Sequence, residues 1–210
     1  MQLFVLGATG GTGRELIGQA LSRRHRITAF VRNRQKLAAR EGLTLVQGDL
    51  LNAEALSVVL AGHDAVVSAV GPTGLGRTTI MRDSARAAMQ AMKAARVTRL
   101  LILSVAVLFD DAGILARALR KTILRNVADD AAAMEFLDNR SGLEWTIVRP
   151  PRLEDGMLTE RYAVVNDHLP RGAGGASRVR RADVAHFMLN EAEYPAHVAR
   201  VVGISYTKEV

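Results

Sequence analysis

Cysteine is absent from the 210-residue chain. Its absence excludes disulfides, zinc–thiolate centres, iron–sulfur clusters and cysteine nucleophiles, and makes a reducing compartment, the cytoplasm, the expected location. Aromatic residues make up only 4% of the sequence and no basic stretch interleaves with them, which argues against a stacking platform for single-stranded nucleic acid. Long apolar runs are also missing. The longest, Leu100 to Phe109, falls far short of the roughly 20 residues that a membrane-spanning helix needs. Met1-Gln2-Leu3-Phe4-Val5-Leu6 has no basic n-region, so no secretory signal is expected. The five histidines, His25, His63, His168, His186 and His197, show no metal-ligand spacing, and no Gly-x-Ser-x-Gly elbow occurs. No metal site is expected, and neither a membrane nor a nucleic acid is an expected partner.

What is present is a strongly basic chain with apolar residues for a large core: net charge +7, pI about 10.5 and 49% hydrophobic residues. Such a balance suits nucleic acid, an anionic membrane surface or an anionic small molecule. The positions of the arginines discriminate among these.

Strand-like and helix-like segments alternate over the first 150 or so residues. Strands are expected at 2–6, 26–31, 43–46, 64–70, 99–104 and 144–148. Helices are expected at 12–24, 35–40, 52–60, 77–95 and 112–139, the last with room for a break. The strands are continuous apolar runs, as strands buried on both faces must be. The pattern specifies an α/β fold: a doubly wound, mostly parallel sheet with helices on both faces. After Pro150-Pro151 the rhythm changes. Residues 151–181 read as an irregular segment forming a small C-terminal cap on the substrate side, followed by a helix at 182–192 and a last strand at 198–206. No linker separates two units, so residues 1–210 are read as one domain.

The stretch VLGATGGTG ends the first strand and opens the first helix. Glycine permits the sharp turn there and lets a pyrophosphate approach bare N–H groups at the helix N-terminus. Gly7 is assigned the turn, Gly10 the close approach and Gly13 the helix–strand packing. Gly11 belongs to the same cradle, and Thr9 and Thr12 are expected to donate hydroxyl hydrogen bonds to the phosphates. No Lys-Ser/Thr follows the last glycine, which excludes a triphosphate P-loop. The plain alternative is a purely structural turn.

Enzymes using NAD carry an acid at the end of the second strand for the ribose 2′-hydroxyl. Here the sequence is Phe30-Val31-Arg32-Asn33-Arg34-Gln35-Lys36, with no acid. Arg32, Arg34 and Lys36 suit a 2′-phosphate dianion, which an aspartate would repel. The expected cofactor is therefore NADP(H), a solvated basic turn being the alternative. Asp49 and Leu50, ending the third strand, are expected at the adenine, the Asp49 carboxylate accepting from its amino group. Ala69, Val70 and Gly71, ending the fourth, line the ribose and the route to the nicotinamide.

Taken in order, VLGATGGTG, FVRN, QGDLLN, DAVVSAVGP, LLILSVA, EWTIVRPPRL and RADVAHFML resemble the atypical short-chain dehydrogenase/reductases. The likeness is greatest to the flavin reductase / biliverdin-IXβ reductase group and extends to NmrA-like NAD(P)-binding proteins. It runs from about residue 3 to 192 and is loose across 107–135. It implies a Rossmann-like domain, monomeric or weakly dimeric, that takes hydride from NADPH and reduces a flavin, a quinone or a tetrapyrrole-like acceptor. Two departures stand out. The Tyr-x-x-x-Lys pair of many relatives is missing, since Asn166, Val198 and Val210 lie four residues after Tyr162, Tyr194 and Tyr206. The serine and histidine that the resemblance implies in the acceptor pocket fall at Val105, beside Ser104, and at Arg152. Arg152 is then the candidate for stabilising charge on a reduced acceptor, a solvent-facing loop arginine being the alternative. Ser104 is the candidate donor to the nicotinamide amide or the acceptor. Pro150 and Leu153 border the nicotinamide, with Leu153 offering backbone groups to its carboxamide.

Arg117, Lys121 and Arg125 form a cationic stripe if 114–127 is one helix, and Arg178, Arg180 and Arg181 lie in a Gly-rich stretch read as a mobile loop able to meet an anionic acceptor. His186 reads as a packed core residue. Two other functions remain open: a catalytically silent, NADP-sensing protein of the NmrA kind, and a nucleotide-sugar epimerase, which the missing tyrosine base disfavours.

Overall fold

The first strand, β1 (Gln2–Leu6), feeds two cores at once: Leu3 and Val5 enter one and Phe4 and Leu6 the other. That period of two with apolar side chains on both faces requires covering layers above and below the strand. In the computed structural model, which describes residues 1–138, 142–174 and 177–207, both layers are in place. After β1 come α1 (Gly11–Ser22), β2 (Arg26–Val31), β3 (Leu43–Gln47), α2 (Ala53–Leu60), β4 (Ala65–Ser68), α3 (Ile80–Ala95), β5 (Arg99–Leu103), α4 (Gly113–Lys121) and α5 (Arg125–Asp138). The remainder is β6 (Glu144–Arg149), β7 (Arg152–Glu154), β8 (Ala163–Asn166), β9 (Arg178–Arg180), α6 (Arg181–Glu193) and β10 (Arg200–Ser205).

The main sheet has the order β3-β2-β1-β4-β5-β6-β10-β8. All its pairings are parallel except that of β8 with β10. This is the doubly wound Rossmann-like arrangement expected. Leu16, Ile17 and Ala20 of α1 and Val184, Ala185 and Met188 of α6 bury one face of the sheet, while Leu56, Met89, Met92, Ala131 and Met134 of α2, α3 and α5 bury the other. A smaller cluster of Ala106, Phe109, Ala112, Ala116 and Leu169 carries α4 beyond the ends of β5 and β6.

The expected elements are present with local differences. The helix expected at 35–40 is a single 3-10 turn, Arg34–Lys36, because the Asn33 side chain accepts from Gln35 N at 2.8 Å and Leu37 is already extended. The helix expected from residue 77 starts at Ile80, where Asp130 of α5 accepts from Met81 N and Arg82 N at 3.0 and 3.1 Å and thereby sets its first turn. The 112–139 helix breaks between α4 and α5, so Arg117 and Lys121 share no helix with Arg125 and the continuous stripe does not form; residue 139 lies outside the described residues. The segment 151–181 is more ordered than the sequence suggests. β7 pairs in parallel with β9, and β8 joins the main sheet. Arg178 and Arg180 therefore sit on a strand and Arg181 opens α6, in place of the expected loop; residues 175 and 176 lie outside the described residues. Each of these strands, three or four residues long, is too short to establish an alternation. Among the described residues no helix is long and apolar enough to cross a membrane.

One buried carboxylate holds this segment down. Asp183, 0% exposed, accepts from Thr159 N at 2.9 Å, Glu160 N at 2.8 Å, Thr159 Oγ1 at 2.9 Å and Tyr206 Oη at 2.6 Å. Burial pushes its carboxyl up, but the donors from Tyr206, Thr159 and Glu160 outweigh it and hold the group below the usual carboxylate range. A carboxylate lowered in the folded state stabilises the fold above its unfolded value and loses that contribution as pH falls through the lowered one. Asp183→Ala, which removes all four of these hydrogen bonds from the segment, should lower stability by about 2–4 kcal/mol, read by urea denaturation. Asp183→Asn should flatten the wild-type loss of stability below about pH 4.

Candidate functional site

The direction of strand order reverses between β1 and β4, and ligands of open α/β sheets bind outside the strand ends at such a point. Here the backbone comes very close to itself. Gly7 has φ +72°, and a Cβ on it would lie 2.5 Å from the carbonyl carbon and oxygen of Ala69. Gly10 N donates to Gly7 O at 3.0 Å to close the turn, and a Cβ on Gly13 would overlap Gly7 O and the Ala8 backbone. Gly11 opens α1 beneath the side chain of Arg181. The N-cap is Gly10, no side chain caps the helix, and its first turn holds no acidic residue. Donors left open at a helix N-terminus, with the positive end of the dipole behind them, fit a pyrophosphate. Thr9 is half-buried and Thr12 is 4% exposed, so of the two Thr9 has the more surface to offer a phosphate.

Arg32, Arg34 and Lys36 follow β2 and are all exposed. Arg14, which the sequence reading did not single out, ties this turn to the glycine loop: Nε donates to Thr9 O at 3.1 Å and Nη2 to Lys36 O at 2.8 Å. A helix arginine directed at backbone carbonyls of neighbouring loops leaves no pattern in a sequence. Asp49 is exposed after β3, with Oδ1 accepting from Leu51 N at 3.0 Å, and Leu50 is half-buried beside it. After β4, Ala69 and Val70 back onto Gly7, and Gly71 is exposed. The residues present therefore fit an adenine dinucleotide: open donors for the pyrophosphate and cations without a carboxylate where a 2′-phosphate would lie.

A cavity of about 990 Å³ continues from this edge. Leu115, Leu119, Ile123, Leu124 and Val127 form an apolar wall, Pro150, Pro151 and Leu153 a second, and Arg152, Arg178 and Arg181 bring positive charge. Arg152 is exposed, and its N donates to Ser177 O at 3.3 Å. Leu153 lies opposite Val179 in the β7–β9 ribbon. A smaller hollow of about 520 Å³ lies between the N-terminal ends of α3 and α5 and includes none of the glycine loop.

Ser104 also lines the large cavity, and its 4% exposure conceals an ion pair behind it. Its Oγ donates to Glu135 Oε1. Glu135, itself 6% exposed, receives Arg149 Nε at 3.0 Å on that oxygen and Arg149 Nη2 on the other, and the Arg149 guanidinium lies 4.5 Å from the centre of the Phe109 ring. The hydroxyl proton is thus committed inward. Toward the cavity Ser104 offers lone pairs, so it is set up to accept a hydrogen bond, whereas the sequence suggested a donor. Glu135 and Arg149 were missed because 31 residues separate Glu135 from Ser104 and only the packing of α5 on β5 and β6 brings them together.

None of the three tyrosines lines the cavity. Tyr162 meets His186 Nδ1 at 2.8 Å, and its hydroxyl is pushed up to about 12 by burial, with the Asp183 and Glu160 charges adding to the effect. His186 is half-buried against that ring, a packed residue as expected. Removing one member of the hidden ion pair should be far worse than removing both. Glu135→Ala should cost about 3–5 kcal/mol, and the double variant Glu135→Ala/Arg149→Met should recover most of it, as measured by denaturant titration.

Comparison with known proteins agrees with this geometry. The sequence model of the NAD(P)H-binding family matches residues 7–195. The uncharacterized protein YwnB of Bacillus subtilis (strain 168) is 29% identical over 205 residues, 94% of each chain. A wide-type short-chain dehydrogenase/reductase from Veillonella parvula DSM 2008, solved in complex with NADP, has a TM-score of 0.79 at 18% identity, covering 97% of this chain and 94% of that one. A proposed NADH-flavin reductase from Streptococcus pneumoniae TIGR4 has a TM-score of 0.78 at 24% identity, covering 99% and 100%. These two structures share the fold. With nearly the whole glycine-to-α6 span matched, this chain belongs to the NAD(P)H-binding family of Rossmann-fold proteins.

Proposed function

We propose that the protein is an NADPH-dependent oxidoreductase that passes hydride to a flavin, a quinone or a similar conjugated acceptor. The observation that carries this reading is the adjacency of the glycine loop to a large, mostly apolar cavity: Arg181 lies over Gly11 and lines that cavity as well. NADPH, when bound, supplies the hydride. Gly7, Gly10, Gly11 and Gly13, with Thr9 and Thr12, cradle its pyrophosphate; Arg32, Arg34 and Lys36 hold the 2′-phosphate; Asp49 and Leu50 border the adenine; Ala69, Val70 and Gly71 lead to the nicotinamide. Ser104, oriented by Glu135, accepts an N–H from the carboxamide or from the acceptor, and Pro150 and Leu153 close that side.

The cavity wall holds no carboxylate, histidine, lysine or tyrosine among the described residues. Carbonyl reduction through a positioned acid has no donor there. Flavins and quinones need a stacked, oriented ring more than an internal acid, because their reduced forms take protons from water. The Leu115–Val127 wall provides the apolar face, and Arg152 stands at the rim to stabilise negative charge on the reduced ring. The NADP in the Veillonella complex and the reductase description of the Streptococcus protein support the same direction.

The missing acid also favours a second reading, an NADP-sensing protein of the NmrA kind without turnover. The two part in one assay: NADPH oxidation followed at 340 nm with riboflavin or a small quinone. Turnover faster with NADPH than NADH is expected, and binding without turnover of any such acceptor selects the sensor. Arg32→Glu should raise the Kd for NADPH about tenfold or more and leave that for NADH nearly unchanged, read by calorimetry. An unaltered preference would remove Arg32 from the site.

A further inference from the structure

Arg181, one of the arginines lining the cavity, occupies an unusual position. Its side chain crosses the opening of the glycine loop so closely that a Cβ on Gly11 would lie 2.5 Å from its Cδ and 2.7 Å from its Nε. Gly11 lies in the first turn of α1, and the contact is made by the movable end of the arginine, so it marks how near that side chain lies to the loop. The root of Arg181 is fixed. It opens α6, and α6 is fastened to α1 by Gln19 Nε2 to Ala182 O at 2.9 Å and by Arg23 Nη1 to Asn190 Oδ1 at 2.7 Å and Glu193 Oε1 at 2.9 Å. The tip is loosely held. Nη1 meets Asp155 Oδ1 at 2.8 Å, and that carboxylate is 91% exposed. Exposed pairs of this kind contribute little and exchange readily.

We infer that Arg181 is a clamp for the cofactor's pyrophosphate, held over Gly11 by Asp155 until the diphosphate takes its place. The inference rests on the glycine loop receiving a dinucleotide, as proposed above. A diphosphate offers more charge than a single carboxylate and matches the two-pronged guanidinium. Arg14, the other arginine at this loop, already spends its guanidinium on Thr9 O and Lys36 O. Arg181 therefore supplies the mobile cation that the glycines lack, and its pairing with Asp155 keeps it near the phosphate position at low energetic cost. The division of labour is clear. Arg32 reads the 2′-phosphate that distinguishes NADPH from NADH, and Arg181 reads the diphosphate common to both.

The test is calorimetric titration of wild type and Arg181→Gln with NADPH, NADH, ADP and 2′-AMP, with thermal melting to confirm the fold. Kd for NADPH, NADH and ADP should rise together by about tenfold, with a shallower dependence on salt. Kd for 2′-AMP, which has no diphosphate, should not change. Equal affinities in wild type and a folded Arg181→Gln, or a loss confined to NADPH and 2′-AMP, would overturn the clamp. Asp155→Asn keeps the cation and removes its resting partner, so it should tighten ADP about two- to threefold; unchanged or weaker ADP binding counts against the exchange. Wild-type protein that binds none of the dinucleotides would overturn the proposed function itself, a result distinct from wild-type binding with an indifferent Arg181→Gln.

Discussion

The backbone contact between Gly7 and Ala69 is the constraint on which the ligand edge depends. Two parallel strands, β1 and β4, run side by side and their chains then leave in opposite directions around the sheet. The loops can pass at this distance only because residue 7 has no side chain and adopts a left-handed conformation. That passage brings the start of α1 down onto Gly7 O, where Gly13 allows close packing, and leaves the uncapped helix end open at the strand tips. The turn, the open N–H groups and the crevice are consequences of one missing methyl group. Given that crevice, the basic turn after β2 and the Pro-lined loop after β6 fall on its two sides, because the sheet order places β2 beside β1 and β6 two strands from β4.

The charge of the chain divides into two populations. Arg149 with Glu135 and Arg99 with Glu191 are buried and compensated, so they add nothing to the external field. Arg32, Arg34, Lys36 and Arg152 are exposed around the ligand edge, and Arg178 and Arg181 line its cavity. A net charge of +7 thus includes several cations gathered where anionic groups of a small molecule would sit, the arrangement that concentrates and orients a phosphorylated ligand.

The doubly wound sheet was legible because buried parallel strands are written as unbroken apolar runs and the helices between them carry a clear period. The glycine loop was legible because its chemistry is local: four glycines within seven residues, flanked by a strand and a helix. Arg32 stands exposed just past β2 with no acid beside it, the placement that its offset from the strand implies. What escaped the sequence depends on distant partners. Nothing around Ser104 announces that its proton points to Glu135, and nothing around Asp183 announces Thr159 and Tyr206. The β7–β9 ribbon is three residues on each side, too short for any pattern. The break before α5 is a tertiary effect: α5 is held by Asp130 at the start of α3 and by Glu135 behind β5, while α4 belongs to a separate small cluster.

The opposite end of the sheet is built quite differently. Arg99, at the start of β5, donates to Glu144 O at 2.7 Å, Glu191 O at 3.1 Å and Glu191 Oε1 at 3.0 Å, and Glu191 also receives His197 N at 2.7 Å. That end is bolted shut. In α4, by contrast, Ala116 alone among its nine residues is buried. A lineage can therefore rewrite the outward-facing positions of α4 without disturbing the bolted end. The molecule is therefore rigid at one end of its sheet and slack where α4 lines the cavity at the other.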